Sequence, residues 1–462
     1  MGVQLMTLAY AYLLATGTGG TRKGARDKFR KRYKPDGRQR SKTVSDGSKQ
    51  QEVDPLPPLT TANGPRPTYF TCRHSYEGTL IDEILRCAPG EASATSPYPG
   101  LVRVDDGASL PDGFDPVYAL QVLPDCVVVS GESIKSIARE VDRALLAGGD
   151  DKRALEQRQR LLTAPKGSLT IHPLVPGMCK AQPSPVMYSR ATKVCEELLQ
   201  MQKKVYPAAR RGKTKQKQDG PMQATPEGER WLLQVMLQSP TLAIASLSKC
   251  DHVGPGCRAY RPCLYHPLGL AKVDIKEKMP SSAYRKLLEA LECMGIAPLS
   301  STTVVDLGAC PGGWTGAIRR FFDCRVIAID RSELDPVLMR DDKVSFEAGD
   351  AFAFEPPPDA DTWMISDIIC YPERTTELLR KWCGKRLARV MVVTMKFQGN
   401  EPDFGELHRA MKLVKEHPGY NCRVKHFFNN KNEVTFMVWS DDSASILELD
   451  NKSVGTSMYS II

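Results

Sequence analysis

Runs of β-branched and apolar residues alternate with segments of helical spacing between residues 281 and 439. Five runs predict strands: TTVVDL (302–307), CRVIAID (324–330), VSFEAGD (344–350), TWMISDI (362–368) and RVMVVTMKF (389–397). Three segments with apolar residues at helical spacing predict helices: 281–295, 372–385 and 403–417. Strands that alternate with helices in this way indicate an α/β fold with a parallel, doubly wound sheet.

Two further apolar segments, 423–430 and 432–439, are separated by a single residue. A parallel pair of strands needs a long crossover connection, whereas an antiparallel pair needs only a short turn. The sequence therefore predicts an antiparallel hairpin at the edge of the sheet.

The residues ahead of this sheet predict smaller α+β units. Strands are expected at 67–73, 100–104, 115–123 and 167–175 and helices at 77–88, 133–147 and 189–205, and 230–248 is read as two strands joined near Ser239 and Pro240. The predicted divisions are a basic and largely disordered extension (1–66), an α+β domain (67–150), a second α+β domain (151–275) with a basic insertion (203–226), the α/β domain (276–440) and a tail (441–462).

Charge and cysteine usage narrow the class of protein. The 462-residue chain carries a formal net charge of +9, which favours a polyanionic partner such as RNA. Its 14 cysteines lack paired spacing, so we expect reduced thiols that mostly pack in the core. No apolar run approaches the ~20 residues of a spanning helix, so we expect no membrane partner.

The first residues predict a destination in the cell. A short apolar segment, 3–15, precedes a segment dense in Lys and Arg, 21–42, which is the reverse of the order in a secretory signal. This pattern favours a mitochondrial transit peptide. A nuclear or nucleolar basic tail, or a disordered RNA-binding arm of a cytoplasmic protein, remains the alternative.

The segment VVDLGACPGGWTG (304–316) ends a predicted strand in a loop of small residues. Gly308, Gly312 and Gly313 leave room for a ligand and tolerate backbone angles that other residues resist. Their spacing is neither G-x-G-x-x-G nor a P-loop, so pyrophosphate is not the favoured ligand.

Acidic residues end the strands that follow: Asp330, Asp350 and Asp367. Ligands of open α/β sheets bind beyond the carboxyl ends of the strands, where the strand order reverses. Carboxylates there suit a ligand with a ribose diol, an exocyclic amine and a cationic group. S-adenosylmethionine has all three. The alternative is that these acids cap helices or pair with basic residues.

Several motifs resemble the FtsJ family of RNA ribose 2′-O-methyltransferases: SSAYRKLLEA, VVDLGACPGGW, ISDI, TMKFQG and NEVTFMV. The resemblance implies a Rossmann-like, S-adenosylmethionine-dependent methyltransferase domain. The family's Lys-Asp-Lys-Glu catalytic tetrad then falls on Lys286, Asp367, Lys396 and Glu433. The implied cofactor-binding residues are Cys310, Pro311, Gly312, Gly313, Trp314, Asp330, Asp350 and Asp367.

The chemistry of ribose methylation suggests a role for each member of the tetrad. A ribose hydroxyl must lose its proton as it attacks the methyl group, and a neutral lysine can accept that proton. Burial and a neighbouring cation favour the neutral form of a lysine. We therefore expect Lys396 to be the base and Lys286 the second cation. Asp367 would position Lys396 and face the cofactor, and Glu433 would orient the amines or the ribose.

Two features resemble most closely the branch of this family that methylates a cytidine of bacterial large-subunit rRNA. They are LGACPGGWT and the D-x-x-x-x-P spacing from Asp367 to Pro372. Residues 68–84 and 114–124 resemble that branch's ferredoxin-like domain, and 167–275 resembles its THUMP RNA-binding domain. The implied partner is rRNA within a pre-ribosomal particle, with ribosome assembly proteins as further partners. Ser282 replaces the motif's arginine, and insertions at 203–226 and 250–266 leave the RNA target open.

Three alternatives are set against this hypothesis. Methylation of a base amine commonly uses a Pro-Pro loop that DIIC (367–370) lacks, and Cys370 lacks the proline expected before a nucleophilic cysteine. A catalytically silent ribosome assembly factor could use the same fold to bind rRNA. Zinc could in principle use residues of one Cys/His cluster, but its spacing matches no knuckle, so no metal is predicted. That cluster is Cys250, His252, Cys257, Cys263 and His266.

Overall fold

The computed structural model of the chain describes residues 66–88, 93–105, 110–111, 114–146, 152–164, 168–176, 184–205, 230–250, 267–270, 279–357, 361–399 and 401–441. The predictions for the extension before residue 66, for most of the basic insertion, for the cluster after Cys250 and for the tail after residue 441 lie outside these residues.

The α/β domain is built on a seven-stranded sheet. Its strands, in chain order, are β9 (Thr303–Leu307), β10 (Arg325–Asp330), β11 (Val344–Ala348), β12 (Thr362–Ser366), β13 (Val390–Lys396), β14 (Tyr420–Lys425) and β15 (Glu433–Ser440). Their order across the sheet is β11-β10-β9-β12-β13-β15-β14, and β15 pairs antiparallel with both of its neighbours. The doubly wound sheet and its antiparallel edge hairpin are therefore confirmed. The strand order reverses between β9 and β12, where this fold class binds its ligands.

Helices cover both faces of this sheet. On one face lie α5 (Tyr284–Met294) and α6 (Gly313–Phe322), and on the other lie α7 (Pro372–Gly384) and α8 (Phe404–Glu416). Neighbouring strand residues point to opposite faces, so Val304 packs with the first pair of helices and Val305 with the second. Both faces of the central strands are thus buried, which explains their nearly continuous apolar runs.

Helix α5 positions the first tetrad lysine. It ends at Gly295, whose left-handed backbone (φ 66°) closes the last turn, as the sequence predicts. It begins at Tyr284, three residues after the start of the predicted segment 281–295, and its N-cap residue, Ala283, makes no side-chain cap hydrogen bond. The helix buries an apolar stripe that includes Leu287 and Leu291. That packing fixes the helix against the sheet.

A first small sheet precedes the domain. Its strands are β1 (Thr68–Thr71), β2 (Ala94–Tyr98), β3 (Leu101–Val104) and β4 (Gln121–Leu123), in the order β2-β3-β1-β4, and α1 (Glu77–Cys87) lies beside them. The predicted strand at 115–123 is shorter than expected, and β2 was not predicted. The pairings are all antiparallel.

A second sheet follows directly. Its strands are β5 (Val127–Ser130), β6 (Leu169–Leu174), β7 (Arg230–Leu237) and β8 (Leu242–Cys250), in the order β5-β8-β7-β6, and its helices include α2 (Ile134–Leu145), α3 (Lys152–Thr163) and α4 (Pro185–Val205). The hairpin near Ser239 is confirmed, whereas α3 and β5 were not predicted. Because β5 and α2 belong to this sheet, the two sheets separate between residues 123 and 127, whereas the predicted division lies at residue 150.

The first small sheet is fixed to the edge hairpin of the α/β domain by a buried charge cluster. Asp115 accepts hydrogen bonds from Arg423, at 2.7 Å, and from Lys425. Burial alone would raise the pKa of Asp115, but these two cations hold it at about 2. The rings of Tyr76 and His426 lie 4.1 Å apart at the same contact. The apolar core under α7 and α8 continues into this first sheet.

Within the described parts of the chain, no helix combines the length and apolar character required to cross a bilayer.

Candidate active site

Four elements bring the predicted tetrad together at the carboxyl end of the sheet. Lys286 comes from α5, Asp367 from the residue after β12, Lys396 from the end of β13 and Glu433 from the start of β15. Lys396 and Glu433 are direct partners in the antiparallel ladder. The antiparallel strand is therefore what sets Glu433 beside a lysine of a parallel strand.

The four side chains form one hydrogen-bonded network. The Nζ atom of Lys286 lies 2.8 Å from both carboxylate oxygens of Asp367 and 3.0 Å from Oε1 of Glu433. The Nζ atom of Lys396 donates to the main-chain oxygen of Asp367 at 2.7 Å and lies 3.1 Å from its Oδ1. Thr394 also donates to Oδ1 of Asp367, at 2.7 Å. Asp367 is thus the common acceptor that positions both lysines.

The two lysines differ in their access to solvent. The side chain of Lys286 is 8% exposed, and that of Lys396 is 18% exposed. Lys396 lines an open cleft at this end of the sheet, whereas Lys286 lies behind the carboxylates. Of the two amines, Lys396 is therefore the one placed to meet a substrate in the cleft.

The glycine loop between β9 and α6 forms the floor of the cleft. Gly308 has a positive φ of 75° and donates its N–H to the carbonyl of Ile329 at 2.8 Å. A Cβ at Gly308 would overlap the side chain of Ile368, so glycine lets the β12 loop approach closely. The indole of Trp314 donates to the carbonyl of Ala283 at 2.8 Å, which ties α6 to the residue before α5.

The cleft has a volume of about 410 Å³, within the range of small-molecule sites. Six of the predicted cofactor residues line it: Cys310, Pro311, Gly313, Trp314, Asp330 and Asp367. The carboxylate of Asp330 accepts the N–H of Cys310 at 3.0 Å and so fixes the loop. The cleft is lined both by carboxylates and by backbone that a ligand can approach closely. A cationic nucleoside ligand requires both, so these residues fit S-adenosylmethionine.

Two predicted cofactor residues do not line the cleft. Asp350 follows β11 at the outer edge of the sheet, where its exposed carboxylate accepts the N–H of Phe352 at 3.1 Å. Gly312 has a φ of 105°, and its missing Cβ would point at Leu338, away from the cleft. Of the three glycines expected to leave room for a ligand, Gly312 is thus the one whose missing side chain makes room for Leu338.

Asp306 is a cleft residue that the sequence prediction missed. It lies within β9, is 2% exposed and accepts a hydrogen bond from Oγ1 of Thr315 at 2.7 Å. Burial raises its pKa to about 7, and the carboxylates of Asp367 and Asp330 act in the same direction. The position of an aspartate just before the glycine loop was the available signal.

The raised pKa of Asp306 predicts a pH-dependent stability. An unfolded aspartate has a pKa of about 3.9, so the folded chain holds this proton at pH values where the unfolded chain does not. The contribution of this proton to the free energy of unfolding is fully present below a pH of about 3.9. It is lost by about 1.4 kcal/mol per pH unit as the pH rises to about 7. In Asp306→Asn this contribution is absent. We expect the Tm of the variant, relative to the wild type, to rise between pH 5 and pH 7 and then level off. A difference in Tm that stays constant across that range would contradict the assignment.

Among the residues that the structure describes, no group of three or more His, Cys, Asp or Glu side chains is arranged to hold a metal ion. The possible zinc ligands from His252 to His266 lie outside those residues.

Residues 279–400, which include the glycine loop and three of the four tetrad residues, match the FtsJ-like methyltransferase family. The chain therefore carries an FtsJ-like methyltransferase domain, a family that implies the use of S-adenosylmethionine.

The chain is also distantly related to proteins named ribosomal RNA large subunit methyltransferase M. It is 26% identical to the one from Shewanella frigidimarina over 48% of this chain and 61% of that protein. It is 30% identical to the one from Shewanella sediminis over 37% of this chain and 50% of that protein. The match thus spans only about half to three fifths of the length of these curated relatives.

Among solved structures, TrmN from Thermus thermophilus aligns over 81% of this chain and 100% of its own, at 14% identity and a TM-score of 0.28. A ribosomal RNA methyltransferase from Plasmodium falciparum aligns over 35% of this chain and 97% of its own, at 16% identity and a TM-score of 0.27. TM-scores this low support no conclusion about this chain.

Proposed function

We propose that the chain is an S-adenosylmethionine-dependent ribose 2′-O-methyltransferase that acts on RNA. The observation that carries this proposal is the meeting of Lys286, Asp367, Lys396 and Glu433 beside the cleft, with one lysine facing it. Two lysines and two carboxylates suit deprotonation of a hydroxyl better than methylation of a base amine. The residue that follows β12 is Asp367, and no Pro-Pro loop continues from it.

The cleft residues have separable tasks in this proposal. When bound, S-adenosylmethionine would supply an electrophilic methyl group. Asp330 and the loop 308–313 would hold its nucleoside and amino-acid parts, and Asp306 would add a carboxylate to the same cleft. Asp330 is already fixed by the N–H groups of Cys310 and Ser332, so binding needs little rearrangement.

The tetrad would act on the hydroxyl of the substrate. The Nζ atom of Lys396, as a neutral amine, would accept the hydroxyl proton as the methyl group passes to that oxygen and its bond to the cofactor sulfur breaks. Lys286 keeps Asp367 and Glu433 in position through its three hydrogen bonds and supplies a fixed positive charge behind them. Much of the rate gain then comes from the alignment of the reacting groups.

We further propose that the RNA is large-subunit rRNA in a pre-ribosomal particle. The support is the name of the distant relatives, ribosomal RNA large subunit methyltransferase M, together with the net charge of +9. The two small sheets ahead of the α/β domain are the proposed RNA-binding part, with the second in the role of a THUMP-like domain. The basic segment 21–42 leads us to propose mitochondrial rRNA. Localisation of the tagged full-length chain to the nucleolus would contradict that compartment.

Methyl transfer to rRNA tests the proposed function. Purified full-length protein, incubated with labelled S-adenosylmethionine and rRNA from cells that lack the protein, should label the RNA at a ribose. Mapping of 2′-O-methyl groups should then show one nucleotide that is unmodified only in cells without the protein. Binding of rRNA without any transfer would instead favour a ribosome assembly factor.

The basic insertion gives a prediction about RNA affinity. Replacing Arg210, Arg211, Lys213, Lys215 and Lys217 with alanine should weaken binding of the full-length chain to rRNA. The slope of log affinity against log salt is negative. Each lost phosphate contact should reduce the magnitude of that slope by about 0.7 for single strands and about 0.9 for duplexes. Filter binding at several salt concentrations measures that slope. An unchanged slope would mean that the insertion does not contact the RNA backbone.

A further inference from the structure

Two large apolar side chains stand exposed beside the cleft. The side chain of Ile369 is 85% exposed, more than any other large apolar residue in the described ranges, and that of Tyr371 is 65% exposed. Both lie on the short loop 367–371 that joins β12 to α7. Exposed apolar groups at the mouth of a site commonly mark the surface that meets a ligand.

The loop is anchored so that these two side chains cannot turn inward. The Nζ atom of Lys396 holds the main-chain oxygen of Asp367, and Ile368 packs into the core against Gly308. Cys370 faces inward as well, with its Sγ atom 3.4 Å from Oγ1 of Thr375. Exposure therefore alternates along the loop: Ile368 and Cys370 are partly buried, whereas Ile369 and Tyr371 are exposed.

The second anchor is the start of α7. Tyr371 is its N-cap residue, with extended backbone angles (φ −68°, ψ 151°), and Pro372 is its first helical residue. Proline is preorganised for that position, so the direction of the Tyr371 side chain is set by a rigid helix start. The backbone that carries Tyr371 is therefore already in place when a ligand packs on the ring.

The position of the loop indicates what that ligand is. Ile369 lines the same cleft as Asp367 and Lys396, the residues that would meet the ribose hydroxyl. A nucleobase is joined directly to the ribose. Either the base of the reacting nucleotide or the base of a neighbouring nucleotide must therefore lie next to this loop. Sequence-specific recognition of RNA usually engages unpaired bases that stack on aromatic side chains.

We propose that Ile369 and Tyr371 form a stacking surface for an unpaired nucleobase of the RNA substrate. This inference rests on the proposed function, because it takes the ligand of the cleft to be RNA. The ring of Tyr371 supplies the flat face, and Ile369, which lines the cleft, adds an apolar contact. The phenol hydroxyl is not required, since stacking uses the ring alone.

Three variants of the full-length chain test the surface. Removing one base–aromatic stack costs about 1–3 kcal/mol, so Tyr371→Ala should weaken binding of a short single-stranded oligoribonucleotide by about 5- to 150-fold. Tyr371→Phe should bind like the wild type. Val337→Ala is the matched control, because Val337 is 69% exposed but lies outside the loop 367–371. Affinity for a duplex of the same sequence should be unchanged in all three.

A second readout separates this inference from the proposed function. In the methyl-transfer assay, Tyr371→Ala should raise the KM for RNA by the same factor, while calorimetry shows an unchanged affinity for S-adenosylmethionine. If the wild type binds RNA but transfers no methyl group, the proposed function fails and the oligonucleotide measurement still decides on the stacking surface. Equal affinity of wild type and Tyr371→Ala for the single strand would overturn the inference. An equal loss in Tyr371→Phe, or on the duplex, would do the same.

Discussion

Replacing Lys396 with alanine is expected to lower the rate of methyl transfer by about 10²- to 10⁴-fold, the usual contribution of a positioned general base. The expectation follows from geometry: Lys396 is the tetrad lysine that lines the cleft, and its Nζ atom is aimed by the main-chain oxygen of Asp367. Affinity for S-adenosylmethionine should stay within a few-fold, because the glycine loop and Asp330 form the other side of the cleft. Single-turnover transfer and calorimetry on the same protein measure the two quantities.

Two controls sharpen this test. Lys396→Arg keeps the positive charge, but a guanidinium cannot give up its proton in a protein, so transfer should remain as low as in the alanine variant. Lys381→Ala removes a lysine of similar exposure that donates to main-chain carbonyls far from the tetrad, and it should transfer at the wild-type rate. Near-normal transfer by Lys396→Ala or by Lys396→Arg would remove Lys396 from the role of base.

The parallel sheet could be predicted from periodicity because its strands are buried on both faces. The six residues from Val390 to Met395 are all buried. When helices flank an apolar run of this kind, the simple explanation is a strand that is covered on both faces. The antiparallel edge hairpin was also predicted correctly, although β14 (Tyr420–Lys425) ends earlier than expected and residues 426–432 form the connection, in place of one residue. Strands in the front sheets, such as Ala94–Tyr98, are partly exposed and short, so their pattern is weak.

The tetrad could be predicted only from its motifs. Lys286 and Glu433 are 147 residues apart in the chain, yet their charged atoms lie 3.0 Å apart. No local pattern carries that contact, because it depends on the antiparallel insertion of β15 beside β13. The geometry adds what the motifs could not, namely that Lys286 is enclosed by carboxylates and Lys396 faces the cleft.

The strand-end acids show where sequence reasoning fails. Asp330 is the last residue of β10 and Asp350 comes shortly after β11, but the distance of each from the ligand depends on where its strand lies across the sheet. β11 is the edge strand, two positions from the reversal point, so Asp350 is exposed and remote. Asp306 lies within the central strand β9 and lines the cleft, although it is not the last residue of its strand. The order of the strands across the sheet is set by the tertiary structure, and it could not be predicted from local sequence patterns.

Gly312→Val is expected to destabilise the domain strongly while leaving the cofactor affinity of the folded fraction close to normal. The backbone at Gly312 has a φ of 105°, a region that β-branched residues almost never occupy, and the new Cβ would overlap Leu338. Strained backbone and overpacking cost about 1–3 kcal/mol each, so the loss should be roughly 2–6 kcal/mol. For a domain of this size the corresponding fall in Tm is roughly 5–20 °C.

The measurement pairs a thermal melt with calorimetry of S-adenosylmethionine binding on the same sample, well below the melting temperature. Gly349→Val is the matched control, because Gly349 lies in the same domain and a Cβ there meets nothing within 4 Å. It should cost far less stability than Gly312→Val. The cleft is lined by Gly308 and Gly313 and not by Gly312, so the loss at Gly312 should fall on folding. A normal melting temperature with lost cofactor affinity would reverse this conclusion, and it would mean that the ligand passes over Gly312 itself.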